Sequence, residues 1–178
     1  VVTIGALLAT AAHMEGKAAS LLEITGMAQK NGAVFAHLRI SNSANALHAL
    51  RLGPGSANLL LGCDLVASAG EETLSALTPG QSSAVVNRHE PMTPNFLQSP
   101  DLEFPGEELV SALANAAGPE RTHILEATKT ATALLGDSIA TNLFLVGYAY
   151  QKGLIPLNAA SIDAAIELNG VAVDFNKN

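Results

Sequence analysis

Apolar residues recur along this chain at two different spacings. In residues 1–14 they fall at positions 1, 4, 7, 8 and 11, the period of an amphipathic helix. In residues 33–40 they alternate, which is the period of a strand. The same criteria predict further strands over 18–24, 58–64, 83–87 and 122–126, and further helices over 44–52, 65–77, 107–117, 127–135, 138–151 and 161–168. Alternating strands and helices predict one α/β domain over residues 1–178, three-layered (α/β/α) with a mainly parallel central sheet.

Two polar stretches interrupt this pattern. The first, residues 25–32, is called the elbow here; Gly26 and Gly32 bracket it and the strand over 33–40 follows at once. A glycine-bracketed loop beside a strand is either a structural turn or the edge of a binding site. The second, residues 88–105, contains four of the eight prolines, which is typical of a lid, an interface loop or a packing arm.

Composition adds a constraint on the surface. Charged residues make up only 14% of the 178 residues, whereas roughly a quarter is usual for a soluble domain. We therefore expect other domains or subunits to cover part of this surface. The net charge is −7, no basic run is present and Trp is absent, so nucleic-acid binding is not expected. No apolar run reaches the length of a membrane span.

The single cysteine, Cys63, cannot form an internal disulfide, which favours a reducing, cytoplasmic location. The five histidines are scattered singly, so no protein-only metal site is expected in this chain. A buried, inert role is expected for Cys63, because no base lies beside it and Asp64 would raise the pKa of its thiol.

Four polar residues are candidates for a site, each with a plainer alternative. His37 and Arg39 share one side of their strand, either as a solvent-facing pair or as a pair facing an anion or another domain. Asp64 ends a predicted strand, where it belongs to a site or caps the next helix. Asn142 lies in an apolar helix and must tie two elements together or face an interface. No complete catalytic constellation appears.

Several motifs, taken together, resemble one family. They are TGMAQKNGAV (25–34) with HLRI (37–40), LGCD (61–64), NRHEPMTP (87–94), LGDSIATN (135–142), GYAYQKG (147–153) and IELNGVAV (166–173) followed by Asn176. They are similar to signatures of the gamma-type domain of 2-oxoacid:ferredoxin oxidoreductases. The LGCD and GYAYQKG motifs are similar to those of the fused indolepyruvate ferredoxin oxidoreductase-like proteins.

The resemblance implies oxidative decarboxylation of a 2-oxoacid to an acyl-CoA, with electrons passed to ferredoxin. It implies thiamine diphosphate with Mg²⁺, iron–sulfur clusters and the co-substrate CoA, with thiamine and clusters bound by other domains. This domain would pack against those domains, help to enclose the site and be inactive alone, within a homo-oligomer. The family's glycine-rich loop precedes a helix that starts like residues 1–3, so the chain is expected to be a fragment that lacks this loop.

The residues expected to face the cofactor-bearing domains follow from these motifs and from the strand pattern. They are Thr25, Gly26, Gln29, Lys30, Asn31, Gly32, His37, Arg39, Asp64 and Asn142. No residue of this chain is expected to be catalytic. Two other functions remain open: a module that binds a nucleotide or CoA at the strand ends, and a structural dimerisation domain built on the small-residue helix around residues 142–149.

Overall fold

A computed structural model describes residues 2–26, 33–89 and 104–177, which form two compact units. The first unit contains residues 2–26, 33–52 and 146–177, and the second contains residues 53–89 and 104–145.

The first unit is built on an antiparallel hairpin. Its strands are β1 (Ala18–Thr25) and β2 (Val34–Ser41), paired without interruption from Ala18 opposite Ser41 to Thr25 opposite Val34. Helix α1 (Val2–Met14) packs on the hairpin, with Gly5 at the closest approach. A Cβ atom at Gly5 would lie 2.8 Å from Leu21 Cδ1, so the absence of a side chain lets the helix reach the strands.

Two further helices complete the first unit. Helix α7 (Ala159–Asn169) packs on α1 and buries Ile162, Ala165 and Ile166, and α8 (Val173–Lys177) follows it. The end of α1 is tied to the start of α7, because the backbone N–H of Asn158 donates to Glu15 Oε1 at 2.5 Å.

The second unit contains a parallel sheet. Its strands are β3 (Leu59–Gly62), β4 (Ser83–Asn87) and β5 (Thr122–Leu125), in the order β3–β4–β5. All five residues of β4 are buried, as the central strand of a sheet covered on both faces requires.

The helices of the second unit lie between these strands and after the last of them. They are α2 (Leu65–Ser68), α3 (Glu71–Ser75), α4 (Gly106–Ala117) and α5 (Ala127–Leu135). Leu65, Leu77, Val86 and Leu113 form the centre of its apolar core. Helix α6 (Thr141–Gln151) begins in this unit and ends in the first.

The predicted α/β class with a parallel sheet is confirmed, and two helix predictions are corrected. The helix predicted over 65–77 is broken into α2 and α3, because Gly70 has an extended backbone and starts a new helix. The helix predicted over 44–52 is reduced to one 3₁₀ turn, Ala44–Ala46.

The strands over 18–24 and 33–40 pair with each other as a hairpin, which the strand periods alone did not specify. Among the helices of the described residues, none is long and apolar enough to cross a membrane.

Candidate functional site

The tip of the hairpin holds the first of the predicted site residues. Thr25 is exposed at the end of β1 and pairs with Val34. The N–H of Gly26 donates to the carbonyl oxygen of Ala33 at 3.0 Å, which continues the pairing one residue further. The elbow residues Gln29, Lys30, Asn31 and Gly32 lie outside the described residues.

His37 and Arg39 lie on the same face of the hairpin, as the strand period predicts. The register places Leu22 opposite His37 and Ser20 opposite Arg39. This face is opposite to α1, because the side chains that approach Gly5 belong to the alternate positions of each strand.

A segment after β2 crosses the polar end of this face. The guanidinium Nη2 of Arg39 donates to the carbonyl oxygen of Arg51 at 3.3 Å, and the N–H of Leu52 donates to His37 Nδ1 at 3.3 Å. Since Nδ1 accepts a hydrogen bond, a neutral His37 carries its proton on Nε2. The hairpin therefore presents oriented basic side chains.

In the second unit, Asp64 follows β3 and caps a helix. Its Oδ1 accepts a hydrogen bond from the N–H of Ala67 at 2.8 Å, and its carbonyl oxygen accepts one from the Ser68 hydroxyl at 2.5 Å. The capping alternative for Asp64 is thus confirmed. A carboxylate that holds the first turn of α2 is oriented by that bond and not free to rotate.

Asn87 is the most deeply placed polar side chain at the carboxyl ends of the parallel strands, only 1% exposed. Its Nδ2 donates to the Cys63 carbonyl at 3.3 Å and to Thr128 Oγ1 at 2.9 Å. Its Oδ1 accepts from the N–H groups of Thr128 at 3.3 Å and His89 at 3.4 Å. One side chain therefore joins the ends of β3 and β4 to the start of α5.

Sequence reasoning did not select Asn87 as a site residue, although a signal was present. An amide at the end of an apolar strand that is buried on both faces must find several hydrogen-bond partners. That requirement marks a junction in the fold, but the partners come from distant parts of the chain and cannot be named from the sequence.

Cys63 lies beside this junction and is half-buried. Burial raises the pKa of its thiol, and the neighbouring Asp64 carboxylate raises it further. The thiolate, which is the nucleophilic form, is therefore disfavoured. This agrees with the inert role expected from the sequence.

The other charged residues near the strand ends are engaged in ion pairs. Glu126 Oε2 lies 2.9 Å from Lys129 Nζ, and the guanidinium of Arg88 pairs with the carboxylate of Glu107. Within the parts of the chain that the structure describes, no three His, Cys, Asp or Glu side chains gather as metal ligands would.

Asn142 is half-buried near the start of α6. The 3₁₀ turn before it, Ser138–Ala140, is capped by Asp137, whose Oδ1 accepts from the N–H of Ile139 at 2.9 Å. The hairpin residues belong to the first unit, whereas Asp64 and Asn142 belong to the second. An interdomain role for Asn142 stays a prediction.

Among curated proteins, none matches this sequence. A family model does: the one described as pyruvate ferredoxin/flavodoxin oxidoreductase matches residues 1–177, essentially the whole chain. The match agrees with the family that the joined motifs resemble. The chain therefore belongs to the pyruvate ferredoxin/flavodoxin oxidoreductase family.

Proposed function

We propose that this chain is the gamma-type domain of a cytoplasmic, indolepyruvate-like 2-oxoacid:ferredoxin oxidoreductase, and that it is inactive alone. Its function is to contact and help enclose an active site that other domains complete. The observation that carries this proposal is the family match over residues 1–177. The motifs shared with the fused indolepyruvate enzymes support the narrower substrate class.

The chemistry of the described polar residues supports a contact role. Asp64 is used as a helix cap, Glu126 and Glu107 are paired with cations, and burial disfavours the Cys63 thiolate. These three carboxylates are thus used in local structure, and the thiol is disfavoured in its reactive form. General acid–base catalysis needs a group that can reach the substrate and exchange a proton with it.

The reaction itself needs groups that this chain is poorly equipped to hold. An iron–sulfur cluster takes about four cysteine thiolates, and the whole sequence has one cysteine. We therefore assign the clusters, and with them thiamine diphosphate and Mg²⁺, to other domains of the same enzyme. Thiamine diphosphate stabilises the carbanion left when CO₂ departs.

In the proposed reaction, ferredoxin accepts the electrons that the oxidation of the 2-oxoacid releases. The 2-oxoacid loses CO₂, its acyl carbon forms the thioester bond with the sulfur of CoA, and the thiol proton is released. The pair of electrons freed by this oxidation passes to ferredoxin. In this proposal the residues that face the cofactor-bearing domains are Thr25 and Gly26 at the end of the hairpin, the elbow residues Gln29, Lys30, Asn31 and Gly32, and His37, Arg39, Asp64 and Asn142.

The test compares the chain alone with the whole enzyme. Each is supplied with thiamine diphosphate, Mg²⁺, CoA, oxidised ferredoxin and either indolepyruvate or pyruvate, and acyl-CoA formation is measured. We expect turnover of a 2-oxoacid by the whole enzyme and none by the chain. Turnover by the chain alone would refute the contact role, and a whole enzyme that favours pyruvate would refute the indolepyruvate-like class.

Two measurements on the same preparations address the other functions. Isothermal titration of the chain with CoA and with nucleotides tests a binding module at the strand ends. Light scattering of the chain and of the whole enzyme tests association through the small-residue face of α6 and the proposed homo-oligomer. Tight CoA or nucleotide binding by the chain would favour the binding-module alternative.

A further inference from the structure

The basic residues of the hairpin belong to a long stretch without acids. No Asp or Glu lies between Glu23 and Asp64, although the chain has 16 acidic residues and a net charge of −7. The same stretch contains Lys30, Arg39 and Arg51, three of the nine Lys and Arg residues. Positive charge is thus concentrated in one segment of an acidic protein.

The structure gathers part of this charge on one surface. We call it the basic face: Ser20, Leu22, Phe35, His37 and Arg39 on the side of the hairpin away from α1, and Arg51 beside them. Arg51 is exposed, while the five hairpin residues are half-buried. The basic face therefore combines cations with apolar side chains that water reaches only in part.

In this arrangement the guanidinium of Arg39 has a hydrogen-bond donor without an acceptor. It forms no ion pair with a carboxylate of the described residues, and its Nε is buried without a hydrogen-bond acceptor. The Ser20 hydroxyl, directly opposite in the register, is also buried without a partner. A half-buried guanidinium in this state is destabilised relative to one that donates to a carboxylate through two N–H groups.

We propose that the basic face is a docking surface for a carboxylate-bearing surface of another domain or subunit of the same enzyme. This inference rests on the proposed function, and it names the chemistry of the partner. An Asp or Glu of the partner accepts from the guanidinium of Arg39, whose side chain turns outward to present Nε.

The composition of the face favours a protein over a small anion. Leu22 and Phe35 share the face with the cations, and the neighbouring Leu50 is 59% exposed. Arg with aromatic and aliphatic side chains is typical of the centre of protein interfaces. A hydrated anion gains nothing from apolar neighbours and is usually held by converging N–H groups.

The test uses zero-length cross-linking of the whole enzyme. The variant Arg39→Lys keeps the charge and supplies an amine, which a water-soluble carbodiimide joins to a carboxylate in direct contact. We expect mass spectrometry to find an amide between position 39 and an Asp or Glu outside residues 1–178. The wild-type enzyme, which has no amine at position 39, must lack that product. Arg121→Lys, at an exposed position of the second unit, reports the background.

Arg51 provides a second variant at an exposed position. Arg51→Lys places an amine beside the face in case Arg39→Lys fails to fold. Arg51→Glu, combined with Arg39→Lys, should lower the yield of the cross-link about fivefold or more, because like charges now meet across the interface. High salt should lower the yield in the same direction.

Three outcomes would overturn the inference. They are cross-links confined to residues 1–178, no cross-link from either lysine variant, or inorganic phosphate that binds the chain and is lost in Arg39→Gln. Turnover of a 2-oxoacid by the wild-type enzyme, together with no such cross-link from the Arg39→Lys and Arg51→Lys enzymes, refutes the docking surface alone. A wild-type enzyme without turnover refutes the proposed function, while a cross-link to another domain would still support the surface.

Discussion

Asn87 shows how one side chain can organise the end of a parallel sheet. Its amide is buried and makes four hydrogen bonds, to Cys63, Thr128 and His89. Each of these partners belongs to a segment that leaves the sheet or enters it. The position of the chain after β3, after β4 and before α5 therefore depends on the same amide.

Replacing Asn87 with Ala should reduce the free energy of unfolding by about 2–4 kcal/mol, because several buried polar groups lose their partner at once. Denaturant unfolding of the chain measures the change. Asn115→Ala removes the same amide from an exposed position of α4 and should change the free energy by less than about 0.5 kcal/mol. Equal effects of the two variants would contradict the role of Asn87.

Gly62 shows a different constraint at residue scale, since β3 and α2 meet there without room for a side chain. A Cβ atom at Gly62 would lie 2.1 Å from Ser68 Oγ and 2.9 Å from Val86 Cγ2. We expect Gly62→Ala to destabilise the chain by about 1–3 kcal/mol through overpacking.

Gly147 is the matched control for Gly62. It is exposed in the middle of α6, and a Cβ atom there would meet nothing within 4 Å. Gly147→Ala should stabilise the chain by roughly 0.5–1 kcal/mol, because alanine loses less backbone entropy in a helix. Thermal unfolding distinguishes the two signs, and a neutral Gly62→Ala would contradict the close packing.

At the scale of elements, Glu15 connects the end of α1 to the start of α7 through hydrogen bonds and an ion pair. Its carboxylate accepts from the N–H of Asn158, which precedes α7, and from Lys17 Nζ at 2.8 Å. Lys17 also donates to the carbonyl oxygen of Pro156 at 2.5 Å. The hydrogen bonds that the Glu15 carboxylate accepts, first the one from Asn158 and then the one from Lys17, lower the pKa of Glu15 from 4.5 to about 2.

Because folding lowers the pKa of Glu15, the stability that this carboxylate contributes should decrease as the pH falls. A carboxyl whose pKa is lower in the folded state stabilises the fold above its unfolded pKa of 4.5, and this contribution is lost as the pH falls to about 2. Glu15→Gln should therefore lower the melting temperature at pH 6 and approach the wild type near pH 2. Glu120→Gln, at an exposed position, should follow the wild type throughout. A constant difference for Glu15→Gln over this range would contradict the linkage.

The sequence predicts the position of most helices and strands, but it does not predict how the strands pair. The strand over 83–87 and the helix over 127–135 have the predicted bounds, because apolar period and capping are local signals. The antiparallel pairing of β1 with β2 is set by contacts between segments, which no local period specifies. The candidate site follows the same division: the cap formed by Asp64 was predictable, and the three residues that bond to Asn87 were not.

At the scale of the whole molecule, the low charge content is matched by apolar side chains that remain exposed. Leu134 is 71% exposed and Ile139 73% exposed, on either side of the turn after α5, and Leu168 is 70% exposed near the end of α7. Leu134 and Ile139 belong to one unit and are five positions apart, so this pair is the candidate for contact with other proteins or for self-association.

We expect the chain alone to self-associate as its concentration rises, and the double variant Leu134→Gln/Ile139→Thr to do so less. The substitutions should change the free energy of unfolding by less than about 0.5 kcal/mol, since both side chains are exposed. Static light scattering measures association and denaturant unfolding measures stability. Unchanged association in the variant would show that this turn is not the surface responsible.

The uninterrupted register of the hairpin makes the elbow separable from the rest of the fold. Pairing runs as far as Thr25 and Val34, so the strands hold the two ends of the elbow at a fixed spacing whatever residues connect them. A deletion inside either strand would instead turn every following side chain to the opposite face. The proposed function therefore implies that residues 26–33 can be exchanged between relatives, together with the partner that they recognise, while the two strands stay unchanged.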